Sequence, residues 1–498
     1  MQERKMKNLD SIYSSLSSEK NVIGLLDKYV SGVEYDSRKC APGSCFVAIK
    51  GLVSDGHDFI KQAIRFGAKT IICESFPNQD LISPDVTFII VNNTRLALAE
   101  LSHAFFDFPS TKLKIIGVTG TNGKTTITFL LNSIFNAANS KGGIIGTTGA
   151  YFNNHFIPLA HTTPESRDIA EILYKMLQEG VEWVAIEVSS HALKQKRAEC
   201  INFNGAIFTN LTHDHLDYHD SIEDYAQSKK ILFDKLDKNA VAIVFGDDEH
   251  AEFMVRDTAA KVFTVGRNKK NYYKILKETA GIISTDFVLY GGERIIDGKT
   301  ALLGKFNIEN AALAAAACNS LKIDYGAIQK GLSVAKGAPG RMQKVVLFNE
   351  AIALVDYAHT PDALEKAINA CKDVIMSESK KSKILCVFGC GGDRDRSKRP
   401  EMGKIASENC DIVIITSDNP RTESPDNIIK QILEGVSDTN TKIIVEPDRK
   451  KAIEKSVELS SIGDIILIAG KGHEKYQIIG TEKFDFDDVA EIEKYGKL

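Results

Sequence analysis

No Cys-x-x-Cys pair occurs in this sequence, and its nine cysteines, scattered through 498 residues, make an odd total. That excludes a disulfide framework or a zinc ribbon and fits a reducing compartment. Long apolar runs are missing as well. The richest, residues 311–318, is far too short to span a bilayer. Residues 1–7 lead into Asn8, Asp10 and a serine-rich stretch without an apolar signal core. Excess positive charge is also lacking: the net charge of −4 argues against a nucleic-acid binder working by bulk electrostatics. Local basic pockets for small anions stay open. The expectation is a cytoplasmic protein with no membrane span, no nucleic-acid partner and, by default, a monomeric state.

What is present is the balance of a globular chain, 43% hydrophobic and 26% charged residues, long enough for roughly three domains. No solenoid-type repeat or low-complexity tract appears. A short β-branched run ending in polar residues recurs instead. Residues 114–118 precede a glycine loop, 183–186 precede Glu187, and 206–208 precede Thr209-Asn210. Residues 384–388, 412–415 and 465–468 precede Asp393-Arg394, Asp418-Asn419-Pro420-Arg421 and Gly470-Lys471-Gly472-His473-Glu474. Such runs, alternating with helical segments at 169–178 and 363–372, predict an α/β fold of parallel strands buried on both faces. Ligands in such sheets sit outside the carboxyl ends of the strands, where these polar residues fall. Glycine and proline clusters near residues 108–110 and 336–340 suggest joints. The expected domains are 1–110, 111–338 and 339–498.

The loop Gly120-Thr121-Asn122-Gly123-Lys124-Thr125-Thr126 lies between a strand and an amphipathic helix carrying Ile127, Leu130, Leu131 and Ile134. Convergent N–H groups and the positive helix end suit phosphate. Lys124 is expected at the β/γ-phosphates and Thr125 on Mg²⁺. Val118 stands where the common nucleotide loop has its first glycine, so this is the shorter Gly-x-x-Gly-Lys-Thr form. Glu187, at a strand end, is placed as a second metal ligand. A lone strand-end glutamate is more often a solvated loop residue; its pairing with this loop favours the ligand role. Three histidines within 213–219 offer a rival, a zinc hydrolase in which the loop merely holds a product phosphate. No His-x-Glu-x-x-His or cysteine pair supports it. His213 has no assigned role and is as well read as a helix cap. Cys390 has no base beside it in sequence and is not expected to be catalytic.

The glycine loop, Glu187-Val188-Ser189-Ser190-His191 and Asp214-His215-Leu216-Asp217-Tyr218-His219 together resemble the central domain of the Mur ligases, amide-bond synthetases of peptidoglycan precursors. Asp36-Ser37-Arg38 and Asp55-Gly56-His57 resemble their uridine-nucleotide end. Asp356-Tyr357-Ala358-His359, Gly391-Gly392-Asp393-Arg394 and the two motifs at 418–421 and 470–474 resemble the C-terminal domain of the MurE type. The resemblance covers essentially the whole chain, with the motifs in order. It implies a UDP-substrate domain, a central ATPase domain with a mostly parallel sheet, and a Rossmann-like C-terminal domain.

The resemblance further implies that a substrate carboxylate attacks the γ-phosphate of ATP and that an amine displaces phosphate from the acyl phosphate. Lys124, Glu187, His215 and Lys229 become the catalytic set, with Thr125, Glu187, His215 and a Lys229 carbamylated by carbon dioxide around Mg²⁺. Without the resemblance Lys229 reads as a solvated helix lysine. Residues Gly120 to Thr126, Asn307, Arg341, Asp356 and His359 become ATP contacts. Ser37, Arg38, His57, Thr162, Thr163, Ser189, Gln195 and Arg197 become contacts to UDP-MurNAc-L-Ala-D-Glu. Arg394, Asp418, Asn419, Pro420, Arg421, Gly470 and Glu474 become contacts to the added amino acid. An intact Asp-Asn-Pro-Arg goes with meso-diaminopimelate in this family, whose distal carboxylate matches a guanidinium fork. Lysine would leave Arg421 and Arg394 without a partner. Lanthionine would satisfy the same groups; taken alone Arg421 reads as a turn-capping surface arginine, and the rest of the match favours the specificity role. Folylpolyglutamate synthetase shares the glycine loop but would not need the N-terminal domain or residues 418–421.

Overall fold

The computed structural model of the protein describes residues 6–18, 20–51, 54–212, 218–280, 284–291, 294–377, 382–437 and 440–496. It divides into two compact units, one reaching Thr264 and taking in Ser320–Lys322, the other holding Val265–Asn319 and the chain beyond Ile323.

Besides a two-stranded ladder of Lys7–Asn8 with Tyr29–Val30, the first unit holds strands of two larger sheets. The smaller runs in the order Lys20–Ile23, Thr87–Val91, Thr70–Cys73, Cys45–Val47 and Val33–Glu34, parallel except at its first strand. Alternate residues serve its two faces. Val47, Ile72 and Ile89 pack with Leu98 and Leu101 of the helix Thr94–Phe105. Phe46, Ile71 and Phe88 pack on the other side with Ile60 and Ala63. Each such side chain removed from water contributes about 1.5–3 kcal/mol.

The larger sheet is parallel at its centre, in the order Gly142–Gly146, Trp183–Glu187, Lys114–Thr119, Gly205–Phe208 and Val241–Phe245. Its register sets Glu187 opposite Val118 and Phe208 opposite Thr119. Glu187, the glycine loop and Thr209 therefore leave the sheet at one carboxyl edge. The helix Lys124–Ala137 follows the loop, and Ile127, Leu130, Leu131 and Ile134, spaced for one face, are all buried.

The second unit begins with an antiparallel meander, Tyr273–Ala280, Thr285–Gly291 and Arg294–Thr300. The helix Lys305–Ser320 takes up the apolar run of the sequence and is buried through Ala311–Cys318. A six-stranded sheet follows in the order Gln343–Val346, Ile352–Asp356, Ile465–Ala469, Ile384–Phe388, Ile412–Ile415 and Lys442–Val445, parallel except at the first strand. Apolar clusters cover both of its faces, as fully apolar strands require. The last strand in sequence, Ile465–Ala469, lies in the middle of the sheet. Its carboxyl end consequently emerges between those that carry Asp356 and Gly389. Among the described residues no helix is long and apolar enough to cross a membrane.

Candidate active site

The glycine loop is clamped onto the strand end beside it. Thr121 N–H donates to Asn210 O at 2.8 Å, Asn122 N–H to Asn210 Oδ1 at 3.0 Å, and Thr209 Oγ1 to Asn122 O at 2.6 Å. Gly120 has φ +141°, and a Cβ there would meet Thr209 Oγ1 at 1.9 Å, so no larger residue fits. Lys124 Nζ donates to Gly120 O and Thr121 O, each at 2.8 Å. Lys229 Nζ, 1% exposed at the residue level, reaches the same Gly120 carbonyl at 3.0 Å and lies 4.1 Å from the Tyr225 ring centroid. Two lysines thus meet at the loop's first carbonyl. The loop is a cationic cradle.

Glu187 is fully buried beside it. Its carboxylate accepts from Thr125 Oγ1 at 3.0 Å, Thr147 Oγ1 at 3.0 Å and Thr147 N–H at 2.9 Å. Among the described residues no lysine, arginine or histidine pairs with it. A buried carboxylate normally has a counter-charge. Oxygen donors gathered around an uncompensated negative charge fit a hard divalent cation such as Mg²⁺. Gly146 makes the close approach possible: a Cβ there would lie 2.1 Å from Glu187 Oε1.

One hydrogen-bond chain continues from Glu187. Thr163 Oγ1 donates to Glu187 O at 2.8 Å and accepts from Ser189 N–H at 3.0 Å. Thr162 and Thr147 hydroxyls are 3.0 Å apart. Arg197 donates to Thr163 O at 3.1 Å and Gln195 Oε1 at 2.8 Å, and its Nε is 3.0 Å from Glu165. The structure therefore brings together Thr125, Thr162, Thr163, Glu187, Ser189, Gln195 and Arg197.

Ser37, Arg38 and His57 are outside that chain. Ser37 Oγ donates to Gln62 at 2.8 Å, and Arg38 makes a forked pair with Asp36 at the surface. His57 has both ring nitrogens engaged, Nδ1 with Asp55 at 2.6 Å and Nε2 accepting from Glu74 N–H at 2.9 Å. Its ring stabilises a turn and leaves no nitrogen for a ligand. His213 and His215 lie outside the described residues.

In the second unit Asn307 is buried, donating to Leu303 O at 2.7 Å and accepting from Asn310 at 3.1 Å. Asp356 accepts from the N–H groups of Met342 and Ala358 at 2.7 and 2.8 Å. Arg341 lies 4.8 Å from the Tyr357 ring centroid with its Nε buried and unpaired, and His359 Nδ1 donates to Tyr357 O at 2.8 Å. Arg341, Asp356 and His359 gather around one tyrosine; Asn307 is locked into the start of its own helix.

The residues 418–421 form an arm beside the end of the strand Ile465–Ala469. Asn419 Nδ2 donates to Glu474 Oε2 at 2.8 Å. Gly470 Cα lies close to Asp418, whose Oδ2 would be 3.4 Å from a Cβ there. Arg421 has φ +51°, a strained value for a non-glycine, and is pinned by Arg421 N–H to Ile478 O at 3.1 Å and Gly480 N–H to Arg421 O at 2.7 Å. Its Nη1 donates to Gly392 O at 2.8 Å. Nη1 of Arg421 and Cγ of Arg394 lie 2.9 and 3.7 Å from the Cβ position that Gly391 leaves empty. A polar cavity of about 460 Å³ opens nearby between Arg396 and Glu434, but none of the residues expected to bind substrate lines it.

Sequence reasoning missed several members of these sites. Thr147 and Gly146 shape Glu187 from another strand, Tyr225 packs against Lys229, and Glu165 holds Arg197. Arg399, wholly buried, forks onto Glu423 at 2.9 Å and holds that carboxyl down to about 2. Only Lys471 carried a signal, since it stands inside a motif already singled out.

Profiles of the Mur ligase family match in three segments: its catalytic domain at residues 29–106, its middle domain at 118–318 and its glutamate ligase domain at 340–472. The chain is 42% identical to the UDP-N-acetylmuramoyl-L-alanyl-D-glutamate–2,6-diaminopimelate ligase of Chlorobaculum tepidum, over 92% of this chain and 91% of that protein. A solved structure of a ligase with the same name is 32% identical and covers 94% of both chains at a TM-score of 0.69. Folylpolyglutamate synthase of Mycobacterium tuberculosis, solved with ADP and AMPPCP, shares the fold at 17% identity and a TM-score of 0.61, over 76% of this chain and 92% of its own.

Proposed function

This chain belongs to the Mur ligase family, and from that premise we propose that it joins meso-diaminopimelate to UDP-MurNAc-L-Ala-D-Glu at the expense of ATP. It then serves cytoplasmic peptidoglycan synthesis, and through it cell shape and division. The observation that carries the reading is Glu187, buried with no paired cation among the described residues and 3.0 Å from the hydroxyl that follows Lys124. The proposed domains run 1–110, 111–338 and 339–498, and the chain acts as a monomer.

The D-glutamate carboxylate attacks the γ-phosphorus, the P–O bond to ADP breaks, and an acyl phosphate results. The free amine of the amino acid then adds to the acyl carbon, loses its proton, and the tetrahedral adduct expels phosphate to leave an amide. Lys124 and the N–H groups of the loop neutralise phosphoryl oxygens as charge shifts to ADP. Thr125, Glu187, His215 and a carbamylated Lys229 would hold Mg²⁺, which supplies further charge neutralisation. Thr162, Thr163, Ser189, Gln195 and Arg197 hold the dipeptide so that its carboxylate meets the phosphate in line. Ser37 and Arg38 belong to the uridine end, and Arg341, Asp356 and His359, with Asn307 behind them, to the nucleotide. Arg394, Asp418 to Arg421, Gly470 and Glu474 receive the amino acid. The match at residues 29–106 weighs against the folate reading.

The test is phosphate release from ATP with UDP-MurNAc-L-Ala-D-Glu and, in turn, meso-diaminopimelate, lanthionine and L-lysine. Diaminopimelate is expected to support the fastest turnover, abolished by chelation and restored by Mg²⁺ and not Zn²⁺. Faster turnover with L-lysine overturns the specificity, and ATP-independent hydrolysis overturns the ligase reading. Loss of activity in bicarbonate-depleted buffer, regained on adding bicarbonate, is expected of a carbamylated Lys229.

A further inference from the structure

Lys471 is wholly buried, and its position has a cost: an ammonium without water needs compensating charge and acceptors. Three side chains supply them. Its Nζ lies 3.1 Å from Asn419 Oδ1, 3.4 Å from Glu474 Oε2 and 3.5 Å from Asp418 Oδ1. All three partners belong to the two segments assigned to the amino acid, and Lys471 joins them from between Gly470 and Glu474.

The lysine fixes the orientation of Asn419. Oδ1 of that amide accepts from Lys471 and from Ile478 N–H at 2.9 Å, so its NH₂ must face the other way. There it donates to Glu474 Oε2 at 2.8 Å. Glu474 Oε2 therefore takes both contacts. Glu474 Oε1 has no hydrogen-bond donor among the described residues, and Asp418 Oδ1 faces only the ammonium, beyond hydrogen-bond reach. The arrangement leaves one carboxylate oxygen of Glu474 for an incoming ammonium.

The lysine also sets the charge among the side chains assigned to the amino acid. Of these, Asp418 and Glu474 bring two negative charges, and Arg421 and Arg394 bring two positive ones. Without Lys471 they cancel; with it the sum is one positive charge. At the moment of reaction the attacking amine is neutral. Diaminopimelate then carries two carboxylates and one ammonium, a net negative charge, whereas lysine carries one of each and is neutral. We propose that Lys471 is a positioning residue that tunes this pocket for a ligand of net negative charge, by holding Asn419 and Glu474 and by leaving the site one positive charge in excess. The inference rests on the diaminopimelate reading given above and goes beyond it by naming what balances the pocket's acids.

The experiment compares kcat/KM for meso-diaminopimelate and for L-lysine in the full-length enzyme, its Lys471→Met and Lys471→Gln variants, and the double variant K471M/E474Q. In the single variants the ratio of the two is expected to fall by about 30-fold or more, as charge-matched sites discriminate, with the KM for ATP within about twofold. The double variant removes the lysine together with one of its counter-charges, which buried pairs tolerate better than loss of one partner. It restores the excess positive charge, and the ratio is expected to recover over that of Lys471→Met even if both amino acids bind less well. Should Lys471→Met not fold, Lys471→Gln and the double variant carry the same comparison. An unchanged ratio in the folded variants, or a double variant less selective than Lys471→Met, overturns the inference. A wild-type enzyme that does not prefer diaminopimelate overturns the functional reading instead.

Discussion

Two acids, the buried Glu187 of the first unit and the half-buried Glu474 of the second, are treated in opposite ways. Glu187 has three hydrogen bonds from two threonines and no cation among the described residues. Glu474 shares a fully buried lysine with Asp418. Hydroxyl and amide donors orient a carboxylate without cancelling its charge, which keeps it available to a divalent ion. A built-in ammonium cancels part of the charge and fixes how much is left for a ligand. On the proposed reading the first arrangement serves ATP, whose phosphates arrive with their metal, and the second serves selection between amino acids of different charge.

The largest effect is expected from removing the charge of the first acid. Glu187→Gln keeps the size and the threonine contacts within reach, and kcat is expected to fall by about 10³-fold, the scale for a group that stabilises phosphoryl charge. A fall of less than about tenfold would mean the carboxylate is structural. Next comes Arg421→Ala, expected to raise the KM for diaminopimelate by about 30- to 100-fold, the range for loss of a forked guanidinium–carboxylate pair. The KM for ATP should stay within about twofold; equal effects on both would make the arginine structural. Gly146→Ala tests the geometry of Glu187 without touching its charge. The added methyl would sit 2.1 Å from Oε1, so the carboxylate must shift, and kcat is expected to drop by about tenfold or more with the diaminopimelate KM unchanged.

The smallest effects are in stability, and they separate the units by pH. His103 in the first unit is buried with neither ring nitrogen hydrogen-bonded, and burial pulls it down to about 4 from an ordinary 6.5. Its neutral form is the folded one, so the stability it permits is complete above pH 6.5 and is lost as pH falls towards 4. His103→Leu should lose less of its melting temperature across that window than the wild type. Glu423 in the second unit is held down to about 2 from 4.5, first by its hydrogen bonds from Arg399. Its contribution is present above pH 4.5 and is lost as pH falls towards 2, so Glu423→Gln should destabilise near neutrality and converge on the wild type in strong acid. Parallel pH curves for variant and wild type would contradict either assignment.

The strands were legible in the sequence because those buried on both faces must be continuously apolar and the polar residues can only begin where the strand ends. Residues 183–186 were expected to form a strand before Glu187, and the strand is Trp183–Glu187, so the acid belongs to the sheet itself. The helices at 169–178 and 363–372 extend to Ser166–Gln178 and Pro361–Ser377, because polar first turns and Pro361 are allowed at a helix start and escape an apolar-period search. The glycine loop was local and therefore visible. What stayed hidden depends on distant pairing. Thr147 meets Glu187 only because Gly142–Gly146 lies alongside Trp183–Glu187. Tyr225 faces Lys229 one helical turn away, and neither residue type announces such a contact. Arg421 reads as an ordinary turn residue until its left-handed backbone and its bonds to 478–480 are seen. His57 is the reverse case, a motif residue whose ring is engaged by Asp55 of its own turn and by Glu74 N–H further along the chain.

The central claim is that the γ-phosphate held by the loop at Gly120–Thr126 goes to a carboxylate, and the most direct measurement follows the oxygen. UDP-MurNAc-L-Ala-D-Glu labelled with ¹⁸O in its γ-carboxylate, turned over with ATP and diaminopimelate, should yield inorganic phosphate carrying one labelled oxygen and an amide retaining the other. Phosphate free of label, with both labelled oxygens still in an unreacted carboxylate, would contradict it.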